Sequence, residues 1–287
     1  MERNSMVTRI IADCTVDMFA MEGFDFQAVP LTISTAEREF VDDEALNVDE
    51  MLDYLGSYKG RSYTACPNTD AWLRCYEGAD VIYVVALTSG LSGTYNAAVN
   101  AANIYVEDHP ETKIRVFDSL SAGPEVRLMV DCIAEQIQKG KSFEETCQIV
   151  EDYAKHTRIF FALESFHNFA QNGRVNKAVA AAAGVLNIRI MATASTKGDI
   201  EIIGKCRGEK GELAQFKKCL EDAGYDGGKV YLSQCKNPEL AQKVVDMIKE
   251  VYPAAETKIY ETRGLCSYYA EKGGILLGCE CKKSYEE

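Results

Sequence analysis

Apolar runs alternate with amphipathic segments through the first half of the chain. Residues 81–87 (VIYVVAL) are apolar throughout, which is typical of a strand buried on both faces of a parallel sheet. Residues 27–34 (QAVPLTIS) predict one further extended run. Residues 142–157 have the spacing of an amphipathic helix, and Ser142 with Glu145 three positions later forms the pattern of a capping box. Strand–helix alternation of this kind predicts a mostly parallel sheet with right-handed crossovers.

Antiparallel character enters in the second half of the chain. Residues 178–183 predict a small-residue helix, and the turn sequence at 197–199 (KGD) lies between two β-like runs, as in a hairpin. We therefore predict two α/β domains, residues 1–157 with a Rossmann-like sheet and residues 158–287 with a mixed sheet and helices. Ligand sites favour the cleft between two such domains.

Composition and charge exclude several classes of protein. The 287 residues are 47% hydrophobic and 26% charged, which is enough for two domains with sizeable cores. A net charge of -13 argues against nucleic acid and anionic membranes as partners, because both require a basic face. The chain shows neither a signal peptide nor a run of ~20 apolar residues, so we expect a cytoplasmic protein without stable membrane anchoring.

Eleven scattered cysteines favour a reducing compartment over a disulfide framework. Cys279 and Cys281, in GCECKK, leave open a thiol-based metal or redox protein as one alternative function. The three histidines are too dispersed in sequence to form a recognisable set of metal ligands.

The segment ALTSGLSGTYNAA, residues 86–98, directly follows the apolar strand. A helix that begins at Gly93 would direct unpaired N–H groups and a partial positive charge towards this loop, and Ser89 and Ser92 add hydroxyl groups. Ser92 is also a good N-cap residue. Anion binding and simple helix capping both remain open.

Nucleotide and hydrolase signatures are absent from this loop. No GK[ST] follows and the spacing is not GxGxxG, so a triphosphate or a dinucleotide is disfavoured. Ser92 has a glycine on one side only and no histidine beside it, which weakens a nucleophile elbow. A small-molecule hydrolase or transferase that uses the loop together with Asp118 remains the alternative from the enzyme class.

Small side chains recur at helical spacing after the loop, which indicates either close helix packing or room for a long apolar ligand. They are Ala97, Ala98, Ala101 and Ala102.

Several motifs follow one another at characteristic separations over residues 8–280. They are IIADCTVDM, AVPLTI, YTACPN, LTSGLSGTYNAA, VFDSLSAG, NGRVNK, KGDIEIIGKCRGEKG and GGILLG. Together they resemble the DegV family, the fatty-acid-binding proteins that partner a bacterial fatty acid kinase. The match covers nearly the whole chain.

The resemblance implies that two α/β domains enclose one long-chain fatty acid. Its carboxylate would lie on Thr64, Ser89, Ser92 and the helix start at Gly93, all in the first domain, while the second domain covers the acyl chain. The fatty acid is then the ligand, no cofactor or metal is involved, and no residue of this chain is catalytic. A separate ATP-dependent kinase would phosphorylate the carboxylate.

Three further residues have roles implied by the resemblance. Arg174, in NGRVN, and Arg207, in KCRG, match family arginines near the ligand opening and are candidates for contact with the ligand or the kinase. Tyr269 occupies the position of a histidine that is usual in the family. A tyrosine can hydrogen-bond a carboxylate, although it carries no charge near neutral pH.

Overall fold

Three β-sheets organise the protein, whose computed structural model describes residues 6–176 and 188–284. The first sheet consists of four parallel strands, which are, in spatial order, Asp25–Val29 (β2), Thr8–Asp13 (β1), Val81–Ala86 (β6) and Lys113–Asp118 (β7). Every residue of β6 is buried, which confirms the prediction for this apolar run. The helix predicted at 178–183 lies outside the described residues.

A small antiparallel sheet interrupts the first domain. Its strands are, in spatial order, Glu39–Val41 (β4), Thr32–Ser34 (β3) and Tyr63–Ala65 (β5). Residues 27–29 and 32–34 are extended as predicted, but they form two strands, β2 and β3, that belong to different sheets. Pro30 has no N–H to donate to a ladder, and the N–H of Leu31 donates to Cys14 Sγ (3.3 Å), so the chain changes sheet there.

The second domain contains a six-stranded mixed sheet. Its strands are, in spatial order, Ile200–Arg207 (β10), Ile188–Ala194 (β9), Thr157–Leu163 (β8), Ile275–Glu280 (β13), Val230–Gln234 (β11) and Thr257–Glu261 (β12). β9 and β10 pair in antiparallel fashion, which confirms the hairpin predicted around residues 197–199. The backbone N–H of Ser195 donates to Asp199 O (2.8 Å) and closes its turn. The strands thus confirm an α/β fold with a parallel and a mixed sheet, while the boundary at 157/158 stays a prediction.

Nine α-helices occur in the described parts of the chain. They are Val48–Ser57 (α1), Thr69–Tyr76 (α2), Thr94–Asp108 (α3), Pro124–Gln138 (α4), Phe143–Ala154 (α5), His167–Gln171 (α6), Gly208–Asp222 (α7), Pro238–Val251 (α8) and Gly264–Ala270 (α9). The reciprocal bonds between Ser142 and Glu145 form the predicted capping box at the start of α5. Among residues 6–176 and 188–284, no helix combines the length and the apolar character that a membrane crossing requires.

One of the hydrophobic clusters contains side chains of both domains. Leu31 and Ile33 from the first domain pack in one cluster with Phe161, Phe166 and Leu265 from the second. Helix α4 contacts strands of both larger sheets. The domains are therefore joined by buried side chains on the side where the candidate site lies.

Small side chains on α3 allow close packing against α2. Ala98, Ala101 and Ala102 are buried in one cluster with Trp72 and Tyr76. Of the two interpretations left open for these alanines, close helix packing is the one that the structure supports.

Glu212 is a buried carboxylate in the second domain. Its side chain is 1% exposed, and its Oε2 lies 2.8 Å from Arg189 Nε. Burial raises the pKa of Glu212 to about 7, and the Arg189 guanidinium opposes that rise. The folded protein therefore keeps this proton to a higher pH than the unfolded chain, where the pKa is 4.5. The contribution of Glu212 to stability is consequently lost as the pH rises from about 4.5 to about 7.

Replacing Glu212 by glutamine is expected to flatten the dependence of folding stability on pH. Glutamine does not ionise, so the free energy of unfolding should fall by about 2–3 kcal/mol less between about pH 5 and pH 8 than it does in the wild type. Urea unfolding at both pH values measures this difference. Glu221→Gln on the same helix is the control, because Glu221 is exposed and is not among the charges that shift the Glu212 pKa. Equal pH dependence in the wild type and in E212Q would contradict the prediction.

Candidate functional site

A cavity of about 320 Å³ lies between the two domains. It is bounded by the segments that follow β5 and β6, by the inner face of the second sheet and by α9. Its wall is mainly apolar, and the buried apolar side chains in it include Leu31, Leu87, Ile159, Phe161, Leu163, Leu265 and Leu276. A wall of this composition accommodates a hydrocarbon.

Hydroxyl groups from three distant segments meet in the wall of this cavity. Thr64 Oγ1 on β5 lies 2.8 Å from Tyr269 Oη on α9. Ser92 and Gly93, at the start of α3, line the same cavity. The segment after β5 touches this helix start, since a Cβ on Gly93 would lie 3.4 Å from Cys66 Sγ. Thr64, Ser92, Gly93 and Tyr269 therefore all line one cavity.

Tyr269 contacts two other aromatic rings. It stacks on Phe169 with a centroid distance of 4.5 Å, and the Tyr268 ring meets it edge-on at 4.9 Å. Burial raises the pKa of Tyr269, while the hydrogen bond with Thr64 and the nearby Arg174 charge oppose that rise. The phenol consequently stays neutral near pH 7 and can donate a proton in a hydrogen bond.

Ser92 has its own hydrogen-bond partner at the start of α3. Its Oγ lies 2.8 Å from Thr94 Oγ1 and accepts a hydrogen bond from the Thr94 N–H (3.3 Å). Gly93 is the N-cap of α3 and provides no side-chain cap, so the N–H groups of the first turn beyond Thr94 can donate to an external acceptor.

The loop before α3 is fastened to the second domain. Thr88 Oγ1 donates to Gly198 O (3.0 Å) in the turn of the β9–β10 hairpin. A Cβ on Gly90 would lie 2.7 Å from Lys197 O, and a Cβ on Gly198 would overlap Thr88 Oγ1. The two loops can approach this closely because each has a glycine at the contact.

Two residues implied by the resemblance lie away from the cavity wall. Ser89 is exposed, and its N–H donates to Asp118 Oδ1 (3.1 Å). Arg207 is exposed at the end of β10 and does not line the cavity. Arg174 does line it, and its Nη1 donates to Asn172 O (2.6 Å).

The residues on which the two rival functions rest have the following surroundings in the structure. Asp118 Oδ1 accepts hydrogen bonds from the N–H groups of Ser89 and Leu120, so the carboxylate closes a turn. None of the three histidines is among the described residues that line the cavity. Within residues 6–176 and 188–284 no group of three or more His, Cys, Asp or Glu side chains is placed to hold a metal ion, and Cys279 and Cys281 are buried free thiols.

The sequence did not predict two residues that contact the site, the polar Asn172 and the aromatic Phe169. Asn172 Oδ1 accepts the N–H of Thr64 (3.2 Å), and its Nδ2 donates to Tyr268 Oη (2.9 Å). Phe169 stacks on Tyr269. The motif NGRVNK contains Asn172 and is the one signal that pointed to this segment, although it drew attention to its arginine alone.

Comparison with known proteins places the chain among a group of relatives. The sequence model of a family described as "Uncharacterised protein, DegV family" matches residues 7–278. A DegV domain-containing protein of Streptococcus pneumoniae is 42% identical over 279 residues, which are 96% of this chain and 99% of that protein.

Two crystal structures have closely similar folds. A DegV family protein from Eubacterium eligens loaded with heptadecanoic acid is 49% identical, with a TM-score of 0.95 over 96% of this chain and 100% of that one. The Fatty Acid Kinase (Fak) B3 protein of Streptococcus pneumoniae loaded with linoleic acid is 41% identical, with a TM-score of 0.95 and the same coverage.

Proposed function

Since the chain belongs to the DegV family, we propose that it binds a long-chain fatty acid in the cavity between its domains. The carboxylate lies on Thr64, Ser92, Gly93 and Tyr269, and the acyl tail lies along the apolar wall. The observation that carries the proposal is the combination of an apolar cavity with hydroxyl groups in its wall.

The polar groups match a carboxylate. Hydroxyls of Thr64, Ser92 and Tyr269 donate to carboxylate oxygens, and the start of α3 adds a partial positive charge. Arg174 lines the cavity and contributes a full charge. On binding, the carboxylate loses its hydrogen bonds to water and accepts hydrogen bonds from several donors of the protein instead.

The tail supplies most of the affinity. Roughly fifteen methylenes at about 0.8 kcal/mol each give about 12 kcal/mol before the costs of ordering the ligand and desolvating the head group. The buried leucine and phenylalanine side chains of the wall provide the surface for this contact.

The same proposal includes a partner protein in the bacterial cytoplasm. A relative with 41% identity is a Fatty Acid Kinase B3 protein, so we place this chain as the carrier that presents the carboxylate to a separate ATP-dependent kinase. On this proposal the phosphoryl transfer occurs in the kinase, and this chain needs no cofactor.

A bound fatty acid is expected in the purified protein. Native mass spectrometry should show one lipid per chain, and extraction should identify it as a fatty acid. Delipidated protein should take up hexadecanoic acid or oleic acid in a one-to-one ratio. A protein that purifies without lipid and takes up neither acid would refute the proposal.

A further inference from the structure

The first turn of α9 is held by carboxylates from the other domain. The N–H of Arg263 donates to Asp17 Oδ1 (2.6 Å). The next two N–H groups, of Gly264 and Leu265, donate to Asp42 Oδ1 (2.8 Å) and Oδ2 (2.7 Å). No side chain of the helix's own segment caps this end. Two aspartates of the first domain thus satisfy three consecutive N–H groups in the second.

Both carboxylates are buried. Asp42 is 0% exposed and Asp17 is 6% exposed. Burial raises the pKa of each, and the backbone donors of Arg263, Gly264 and Leu265 oppose that rise. A buried carboxylate is costly unless its oxygens accept hydrogen bonds, so the position of α9 and the position of these oxygens are fixed together.

Further contacts hold the same end of the helix at close range. A Cβ on Gly264 would lie 2.5 Å from Leu46 Cδ2 and 2.6 Å from Asp42 Oδ1, so glycine alone allows this approach. The Arg263 guanidinium lies over the Phe19 ring at 4.8 Å and donates to Asp43 O (3.0 Å). The start of α9 is therefore anchored to the first domain at several points.

The other end of α9 carries a group of the candidate site. Leu265 and Tyr269 both line the cavity and are separated by about one helical turn, so they lie on the same face of α9. Tyr269 Oη reaches Thr64 Oγ1 of the first domain. Helix α9 has seven residues, so a shift of its first turn also moves the Tyr269 phenol at its other end.

We propose that Asp17 and Asp42 are positioning residues for the carboxylate-binding site. Neither residue lines the cavity. By holding the N-terminal turn of α9 they set where Tyr269 Oη lies relative to Thr64 and Ser92. This inference rests on the proposed function, because it concerns the binding of the same carboxylate.

A double-mutant cycle between Asp42 and Tyr269 tests the proposal. Asp42→Asn keeps the size of the side chain but has one acceptor oxygen for two N–H donors. The measured quantity is the ratio of the Kd for hexadecanol to the Kd for hexadecanoic acid, two probes with the same tail. We expect Asp42→Asn to lower this ratio about tenfold in the wild-type background and by less than about twofold in a Tyr269→Phe background.

Asp17→Asn is the second variant, and it covers the case in which Asp42→Asn does not fold. Asp17 has a φ of 55°, which asparagine also adopts readily. We expect Asp17→Asn to lower the ratio of the Kd for hexadecanol to the Kd for hexadecanoic acid in the same way. The effect should again be smaller in the Tyr269→Phe background. An unchanged ratio in the folded variants would overturn the positioning role.

Glu280→Gln provides the matched control. Glu280 also joins the two domains, since it accepts hydrogen bonds from Tyr153 Oη (2.8 Å) and from the Lys229 N–H (2.8 Å), but it does not line the cavity. It should leave the head-group ratio unchanged. A tenfold loss in E280Q, or equal losses from Asp42→Asn in both backgrounds, would show a general structural effect and refute the inference. A wild-type protein that binds neither lipid would instead refute the proposed function.

Discussion

Replacing Thr64 by valine and Ser92 by alanine together is expected to weaken fatty-acid binding by a factor of about one hundred to ten thousand. Both hydroxyls line the cavity, and Thr64 Oγ1 is paired with the Tyr269 phenol. A hydrogen bond to a charged group contributes about 1.5–3 kcal/mol, so two of them account for about 3–6 kcal/mol. Competition between hexadecanoic acid and a fluorescent lipid measures the change in Kd.

Two controls separate this effect from general damage. Valine has nearly the shape of threonine, so binding of hexadecanol, which depends on the tail, should change little. Ser89→Ala should leave the Kd for hexadecanoic acid unchanged, because Ser89 is exposed and does not line the cavity. Wild-type affinity in the double variant would contradict the assignment of the carboxylate site.

Alanine at Gly198 is expected to destabilise the protein by about 2–5 kcal/mol. Gly198 has a φ of +76°, which costs an alanine about 1–2 kcal/mol. The added Cβ would also overlap Thr88 Oγ1 and lie 3.1 Å from Leu120 Cα, and overpacking of this kind costs about 1–3 kcal/mol. Urea unfolding measures the stability. Release of bound hexadecanoic acid should also become faster, because Gly198 and Thr88 line the cavity.

Gly140→Ala is the matched comparison for this prediction. Gly140 has a similar φ of +67° after α4, but a Cβ there would meet nothing within 4 Å. The loss of stability should therefore be about 1–2 kcal/mol, which is the backbone cost alone. Equal losses of stability at the two glycines would show that the contact between the hairpin turn and the loop before α3 does not contribute to the free energy of unfolding.

The elements that sequence predicted well are those with a strong local pattern. The apolar run of β6, the capping box at Ser142 and the β9–β10 hairpin each depend on neighbours within a few positions, and each was confirmed. The small sheet was missed because its strands are three residues long, and β5 is joined to β3 from about 30 positions away. Short strands of this kind depend on their partners rather than on local propensity.

The candidate site also depends on contacts between residues that are far apart in sequence. The residues of the loop before α3 predict an anion site or a simple helix cap by themselves. Thr64 and Tyr269 lie 205 positions apart, so no local pattern joins them, and only the family resemblance indicated both. Asp17 and Asp42 look like ordinary surface acids in sequence. Their burial and their bonds to α9 depend on how the domains meet, which no local pattern records.

The pairing of Thr64 with Tyr269 also bears on how the protein unfolds. The hydrogen bond closes a loop of 205 positions, so the site exists only after both domains have folded and met. A ligand that bridges these two residues binds the complete fold and none of its parts, and its binding free energy is added to the global unfolding reaction. We therefore expect a lipid-loaded protein to unfold in one cooperative transition, even though its two larger sheets are built from separate stretches of chain.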